Sequence, residues 1–144
     1  MALLLENIIT YLKNSRSIVM ATVDSDQLPD VRTIGGYNFD GYVLYFATAK
    51  TSRKAEQLLE KENVAILIQH ENQVHPDYKN VTIYGKAKKL SGTDYDLGRA
   101  KILERRPNAI YEEESKNIYR VIPEQIKLLD LSKSVNEQVH IIKP

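Results

Sequence analysis

The pair Asp40-Gly41 limits the possible fold more than any other feature of the sequence. It separates Tyr37-Asn38-Phe39 from Tyr42-Val43-Leu44-Tyr45-Phe46, two runs rich in the aromatic residues that strands favour. Asp-Gly readily adopts the positive φ angles of a type I′ turn, so the sequence predicts an antiparallel hairpin here. Gly35-Gly36, just before it, predicts a bulge or a place where another group approaches the backbone closely.

The rest of the chain adds further strands and three helices, joined by short turns. Residues 81–88 alternate strictly between apolar and polar, as a half-exposed strand does, and residues 64–68 form a continuous apolar strand. The same reasoning predicts strands at 17–23, 30–34, 118–122 and 126–131, and helices at 4–12, 55–59 and 93–107. These elements indicate an α+β fold, mainly β, with about six antiparallel strands. A barrel is the natural way for such a sheet to hide its edges.

Length and composition exclude several classes of function. A chain of 144 residues fits a single domain, here residues 1–144. A net charge of +1 argues against a nucleic-acid-binding protein, which normally carries a clear basic excess. The absence of cysteine excludes disulfides, thiolate metal sites and cysteine nucleophiles, and the three histidines lack metal-ligand spacing, so we expect no metal. We see no secretory signal and no apolar run of about 18 residues, so we expect a cytoplasmic protein without membrane contact.

The segment from residue 48 to 54, Thr-Ala-Lys-Thr-Ser-Arg-Lys, is the first candidate site. It follows a predicted strand and opens a predicted helix, where free N–H groups and the positive end of the helix dipole favour an anion. Thr48, Thr51 and Ser52 add hydroxyl donors. Arg53 and Lys54 put two cations in the first helical turn, where the dipole disfavours them. A bound phosphate would explain this arrangement, and a solvated basic helix start is the alternative that the residues leave open.

Arg32 is the second candidate. It lies in the middle of a predicted strand, between Val31 and Thr33. A charged side chain on a sheet usually faces water or a partner, so taken alone Arg32 fits a surface arginine as well as a ligand-binding one.

Several motifs, in this order and spacing, resemble the FMN-binding split-barrel superfamily. This superfamily includes pyridoxamine-phosphate oxidases, general-stress flavoproteins and nitroimidazole-resistance proteins. The matching pieces are Ala21-Thr22-Val23-Asp24 with Pro29, Val31-Arg32-Thr33, Asp40-Gly41, Leu44-Tyr45-Phe46-Ala47-Thr48, Ser52-Arg53-Lys54, Glu62-Asn63-Val64-Ala65, Gly85-Lys86-Ala87, and Pro123 with Ile126. They span roughly residues 8 to 131.

The resemblance implies a six-stranded antiparallel split barrel with flanking helices that holds FMN as a homodimer. Arg32 and the backbone of Thr33 and Ile34 would lie along the flavin and its ribityl chain. Ala47 and Thr48 would sit beside the ring and the phosphate, which Ser52, Arg53 and Lys54 would hold. Gln69 would reach the FMN of the partner subunit.

The resemblance also implies an FMN-dependent oxidoreductase that passes electrons from a reduced nicotinamide to a small acceptor. Two alternatives stay open: a module that stores flavin without turnover, and a barrel for another planar ligand such as a deazaflavin or haem. The arginine-rich end that helps pyridoxamine-phosphate oxidases bind substrate has no counterpart in residues 136–144. We therefore do not expect oxidation of pyridoxamine phosphate, and the residues identify no catalytic side chain.

Overall fold

The structure is a computed structural model that describes residues 2–144. Its elements follow along the chain in the order α1 (Ala2–Lys13), β1 (Ile18–Val23), β2 (Pro29–Ile34), β3 (Tyr37–Asp40), β4 (Val43–Ala49), α2 (Arg53–Glu60), β5 (Asn63–Ile68), β6 (Lys79–Lys89), α3 (Gly92–Arg105), β7 (Lys116–Asp130), a 3-10 helix (Val135–Glu137) and β8 (Val139–Ile142). The fold is α+β and mainly β, as the sequence predicts.

All the strands named above belong to one antiparallel sheet. Its order is β2-β1-β5-β6-β7-β4-β3, and β8 pairs with β7 beside β4. The two edge strands, β2 and β3, are joined only by Gly35-Gly36. The sheet therefore has to curl until its edges nearly meet, although β2 and β3 are not paired with each other. This unpaired seam is the split that the resemblance implies.

The inner face of the curled sheet encloses the main apolar core. Helices α1 and α2 contribute Ile8, Leu12 and Leu58 to this core. Helix α3 packs outside, against β3, β4 and β7, over a second cluster that includes Tyr95 and Ile102. The inner core and this second cluster use opposite faces of β4, as the alternation of side chains along a strand requires.

The number of strands differs from the prediction of about six, because the structure has eight. The predicted strands at 118–122 and 126–131 are one continuous strand, β7, and Pro123 does not end it. Pro123 faces Gly85 where the register between β6 and β7 shifts, and a bulge is one of the few positions where a strand tolerates proline. The four-residue strand β8 was not predicted at all.

The predicted hairpin is present as β3 and β4, but its turn type is not the predicted one. Asp40 pairs with Val43, so Gly41 and Tyr42 are the two turn residues. Among residues 2–144 the positive φ values include 61° at Gly41 but none at Asp40 or Tyr42, which matches a type II′ rather than a type I′ turn. The group that approaches Gly36 is Tyr111 of the same chain, whose hydroxyl would lie 2.7 Å from an added Cβ.

The helices form where the sequence predicts them, but some of their apolar side chains are exposed while other residues are buried. Leu59 is 77% exposed, whereas Gln57 on the same helix is buried. On α3 Leu97 is exposed, whereas Tyr95, Gly98 and Ile102 are buried. Within residues 2–144 no helix is both long and apolar enough to cross a membrane.

Candidate anion-binding site

Most of the buried polar residues lie at the end of the sheet that α2 covers. Four of the six buried polar or charged residues described within residues 2–144 lie there: Thr22, Thr48, Gln57 and Asn117. Burying a polar group without a partner costs free energy, so such a cluster needs an internal network or a ligand. Part of this cluster forms a closed network and part of it does not.

Arg32 is the centre of the closed part. Its side chain is 20% exposed, and its position opposite Met20 in the register turns it toward the buried side of the sheet. Its Nη1 donates to Thr22 Oγ1 at 2.6 Å and its Nη2 donates to Gln57 Oε1 at 3.1 Å. The Thr22 hydroxyl also donates to Gln57 Oε1. Arg32 is therefore an inward-facing arginine fixed by α2 and β1, and not the surface arginine that its strand position allows.

Asp30 supplies the negative charge of this network. Its Oδ2 lies 3.2 Å from Nη2 of Arg32 and 3.0 Å from Nε of Arg53, and Nε2 of Gln57 donates to the same oxygen at 3.4 Å. The bonds from Arg53 and Gln57, together with the charge of Arg32, hold the pKa of Asp30 below its usual value. Arg53 is 70% exposed, and its charge is paired with Asp30 on the outer side of the site.

The start of α2 provides the hydroxyl groups of the site. Ser52 is the N-cap, and its Oγ accepts from the backbone N–H of Ala55 at 3.2 Å. The same Oγ lies 2.9 Å from Oγ1 of Thr48, at the end of β4. The first N–H groups of the helix and two hydroxyls thus meet at one point, where anions bind readily.

Lys54 contributes the charge that the network does not neutralise. Burial lowers the pKa of its ammonium group, and the positive charges of Arg32 and Lys116 lower it further. Among residues 2–144 neither Lys54 nor Lys116 has a carboxylate within salt-bridge distance. The charges of Arg32 and Lys116 thus act on the half-buried Lys54, and of these three cations only Arg32 is paired with an acid.

Asn117 is the polar residue that the network leaves incomplete. It is 7% exposed and lies directly opposite Thr48 in the pairing of β4 with β7. Its Nδ2 donates to the hydroxyl of Tyr119 at 3.0 Å. Its Oδ1 is the buried side-chain atom within residues 2–144 that has no hydrogen-bond partner.

Comparison with known proteins identifies the family. The sequence model described as pyridoxamine 5'-phosphate oxidase matches residues 4–130, which is most of the chain. The chain belongs to the pyridoxamine 5'-phosphate oxidase family. The superfamily resemblance seen in the sequence is thereby confirmed. No curated protein matches the chain.

Solved structures with the same fold have names that differ widely. General stress protein 26 from Bacillus anthracis is 20% identical with a TM-score of 0.72, and the alignment covers 98% of each chain. A NimC/NimA family protein from Clostridium acetobutylicum is 12% identical with a TM-score of 0.73, covering 97% of this chain and 92% of that one. A haem-binding protein from Mycobacterium smegmatis is 14% identical with a TM-score of 0.79, covering 96% of this chain and 57% of that one. At these identities the likeness shows the fold alone.

The structure brings together five of the residues predicted for the flavin site of this family: Arg32, Thr48, Ser52, Arg53 and Lys54. Whether they bind FMN stays a prediction. Ile34, on the strand of Arg32, is buried in the apolar core. Because β2 is an edge strand, alternate N–H and C=O groups along it face away from the sheet, as a ligand along its backbone would need.

The other predicted residues lie apart from this cluster. Thr33 and Thr51 are exposed, and Ala47 packs against the second cluster on the other face of β4 from Thr48. Gln69 follows β5 at the end away from α2, where its Oε1 accepts from the hydroxyl of Tyr78. A direct role for Gln69 in the same chain's site is therefore not supported, which leaves the predicted role in a partner's site.

The histidine near this end of β5 serves the structure. The ring of His70 stacks on Tyr11 with centroids 3.6 Å apart, and its Nε2 lies 2.8 Å from the carbonyl oxygen of Tyr11. In the part of the chain that the structure describes, no group of three or more histidine or carboxylate side chains is arranged to hold a metal ion.

Sequence reasoning missed Asp30, Gln57 and Asn117, although each left a signal. Asp30 and Arg32 are two apart on one strand, so they share a face and pair. Gln57 stands four residues after Arg53 and between the buried Ala55 and Leu58, where an amphipathic helix would carry an apolar residue. Asn117 alternates with Tyr119 and Val121, which marks it as inward-facing once the strand is known.

Proposed function

We propose that the chain binds FMN through the cluster under α2 and acts as an FMN-dependent oxidoreductase. The observation that carries this proposal is the start of α2, where the hydroxyls of Thr48 and Ser52 meet beside the half-buried Lys54, which has no carboxylate partner within residues 2–144 and whose pKa is lowered by burial and by the charges of Arg32 and Lys116. Like charges held together in a partly buried position are unfavourable unless an anion offsets them.

A phosphate group fits the donors that meet at this point. The N-terminus of α2, the hydroxyls of Thr48 and Ser52, and the ammonium group of Lys54 can all donate to phosphate oxygens. Arg32 adds positive charge, since its Nη1 and Nη2 groups already bond to Thr22, Gln57 and Asp30. Asp30 does not prevent this, because its charge is taken up by Arg53 and one side of Arg32.

The residues of the cluster would hold and orient the cofactor. Lys54 and Ser52 would fix the phosphate, while the edge of β2 would lie along the rest of the molecule. FMN, when bound, would supply the electron-transfer chemistry, and the protein would contribute position and electrostatics. We expect a reduced nicotinamide as the electron donor and a small molecule as the acceptor. Location in the cytoplasm stays a prediction from the sequence.

We also propose that the chain acts as a homodimer through the outer face of β2, β1, β5 and β6. Most side chains on this face carry no charge, among them Val31, Val19, Ala21, Val23, Ala65, Leu67 and Tyr84, and the exposed Lys86 of β6 lies at its edge, opposite Asn63. The solvated face of an antiparallel sheet is normally polar, and the helices pack elsewhere. A second copy related by a twofold axis would cover this face.

The dimer would also give Gln69 its predicted role. By alternation Gln69 continues the outer row of β5 that contains Ala65 and Leu67. Arg32, Met20 and Ile66 lie in one row across β2, β1 and β5. Gln69 is three residues beyond Ile66, which places it about 10 Å from this row, measured along the strand direction. Antiparallel packing of two copies would bring this end of one chain toward the Arg32 end of the other.

The first experiment measures binding of FMN and of riboflavin by quenching of flavin fluorescence, followed by an absorbance spectrum after desalting. We expect bound FMN, a clear preference for FMN over riboflavin, and a dimer by sedimentation of the loaded protein. Lys54→Gln should weaken FMN binding about tenfold or more, because a hydrogen bond to a charged group contributes about 1.5–3 kcal/mol. Lys61→Gln, the same charge change at the exposed end of α2, is the matched control.

The possible outcomes separate the alternatives. Failure of the protein to bind FMN would refute the proposed function. Equal binding of riboflavin would refute the phosphate anchor while leaving a flavin site. A Soret band in place of flavin absorption would favour a haem ligand like that named for the Mycobacterium smegmatis protein, and a deazaflavin would show its own spectrum. A loaded protein that never consumes NADH or NADPH would favour flavin storage.

A further inference from the structure

The strand β7 carries two polar residues that the proposed phosphate site does not yet use. Lys116 and Asn117 begin this strand, opposite Ala49 and Thr48 of β4. The side chains of Thr48 and Asn117 share a face, and directly opposed side chains of this kind have Cβ atoms about 4.5–5.5 Å apart. Since the hydroxyl of Thr48 contacts the N-cap Ser52, Asn117 borders the N-terminus of α2.

The amide of Asn117 is incomplete in a way that a ligand would complete. Its nitrogen bonds to Tyr119, two residues along the strand, and its buried Oδ1 has no partner within residues 2–144. A buried amide oxygen without a partner is rare in folded proteins. Turning the amide by 180° lets the Tyr119 hydroxyl donate to Oδ1 and leaves the amide N–H groups without an acceptor. Either orientation leaves one amide atom for a partner from outside the chain.

The positive charges near Asn117 indicate the kind of partner that would bond to its amide. Asn117 borders the start of α2 through Thr48 and Ser52, where burial and the positive charges of Arg32 and Lys116 lower the pKa of Lys54. An acceptor oxygen suits such a region while no anion is present, and a donor N–H suits it once an anion has bound. The amide therefore matches both states by a rotation that keeps its contact with Tyr119.

We propose that Asn117 borders the anion site on β7 and donates its amide to a bound phosphate, while Lys116, which alternation places on the opposite face, adds positive charge from the end of the strand. This inference rests on the proposed phosphate anchor and extends it to residues outside the segment 48–54. It assigns to the site a terminal phosphate or similar dianion, held between α2 and β7.

The experiment compares the ratio of FMN to riboflavin affinity in the full chain and its variants, by fluorescence quenching. Asn117→Ala should lower the ratio about tenfold through loss of one charge-assisted bond, and Asn117→Asp should lower it further by repulsion. Riboflavin affinity should stay the same in both variants. Ser15→Ala removes a buried hydroxyl elsewhere, one that bonds to Tyr37, and controls for general loss of stability.

Lys116→Gln keeps the test decisive if the Asn117 variants fold poorly, because Lys116 is only half-buried. It should lower the same ratio several-fold. An unchanged ratio in folded Asn117→Ala, or in Lys116→Gln where the former does not fold, would overturn the inference while the wild-type ratio still supports the anchor. A wild-type ratio near one would instead overturn the proposed phosphate site itself.

Discussion

The two ends of the curled sheet are built in opposite ways. Under α1, Ile8 and Leu12 fill the core, and the polar groups nearby satisfy one another, as Ser15 does with Tyr37 at 2.8 Å. Under α2, polar side chains are buried and the cations outnumber the carboxylates that pair with them. The Oδ1 of Asn117 there has no hydrogen-bond partner within residues 2–144. The α1 end is completed by the chain's own groups, whereas the α2 end leaves groups that the proposed anion would complete.

This difference separates stability from binding. Apolar packing stabilises the fold in proportion to the area it buries, and it makes no demand on a ligand. The α2 end keeps like charges together, which opposes folding and favours an anion. Substitutions at the two ends should therefore affect different measurements.

The largest expected effect is on stability, from a substitution in the apolar part. Ile83 is fully buried between Ile66 and Ile126 on the neighbouring strands. Ile83→Ala should lower the free energy of unfolding by about 2–5 kcal/mol, because it removes apolar contacts and leaves a cavity. Urea unfolding measures this loss, and the FMN affinity of the folded variant should be unchanged. Loss of FMN binding in a folded Ile83→Ala protein would contradict the separation of the two ends.

A smaller effect on stability, with a clear effect on binding, is expected at the α2 end. Gln57→Leu keeps the volume but removes the acceptor of Arg32 and Thr22 and the donor to Asp30. The unpaired groups should cost about 1–3 kcal/mol in unfolding free energy. FMN should also bind more weakly, because Arg32 is no longer fixed.

The control for Gln57 is its exposed neighbour on the same helix. Glu56→Leu should change the unfolding free energy by less than about 0.5 kcal/mol, as most surface substitutions do. If Gln57→Leu were as stable as wild type and bound FMN equally well, the network around Arg32 would have no part in either property.

The smallest expected effect is the acid dependence of stability at Asp30. Its pKa in the folded protein lies below the ordinary value of 3.8, so the folded state favours the charged carboxylate. The resulting stabilisation is present above pH 3.8 and is lost as the pH falls toward the lower folded pKa. Melting temperatures measured across this range should fall less steeply for Asp30→Asn than for wild type. Asp77→Asn, in an exposed loop, should keep the wild-type slope, and equal slopes for all three proteins would contradict the prediction.

The sequence predicts the elements of this fold better than it predicts the site. Alternation and turn residues are local signals, so the hairpin at Asp40-Gly41 and the strand around residues 81–88 are found within a few residues. The continuity of β7 through Pro123 depends on pairing with the distant strand β6, and it was mispredicted, as was the local turn type of the hairpin. A four-residue strand such as β8 carries too short a pattern to be recognised.

The site, too, is predicted only where its residues adjoin a local sequence signal. Lys54 and Ser52 were found because they adjoin a helix start, which the local sequence reveals. Gln57 and Asn117 become part of the site only when α2 and β7 meet beneath the same end of the sheet. No spacing along the chain brings residues 57 and 117 together, so this part of the site needed the fold.

The long strand β7 sets the order in which the molecule can be made. It pairs with β6 along its length, with β4 in its first half and with β8 in its second half. While the ribosome is still synthesising residues 116–130, β4 and β6 have no shared neighbour and the sheet cannot curl. Until residues 116–130 are available, the edges of β4 and β6 that pair with β7 stay unpaired, so we expect this chain to fold more slowly than a helical protein of the same length, whose contacts are more local.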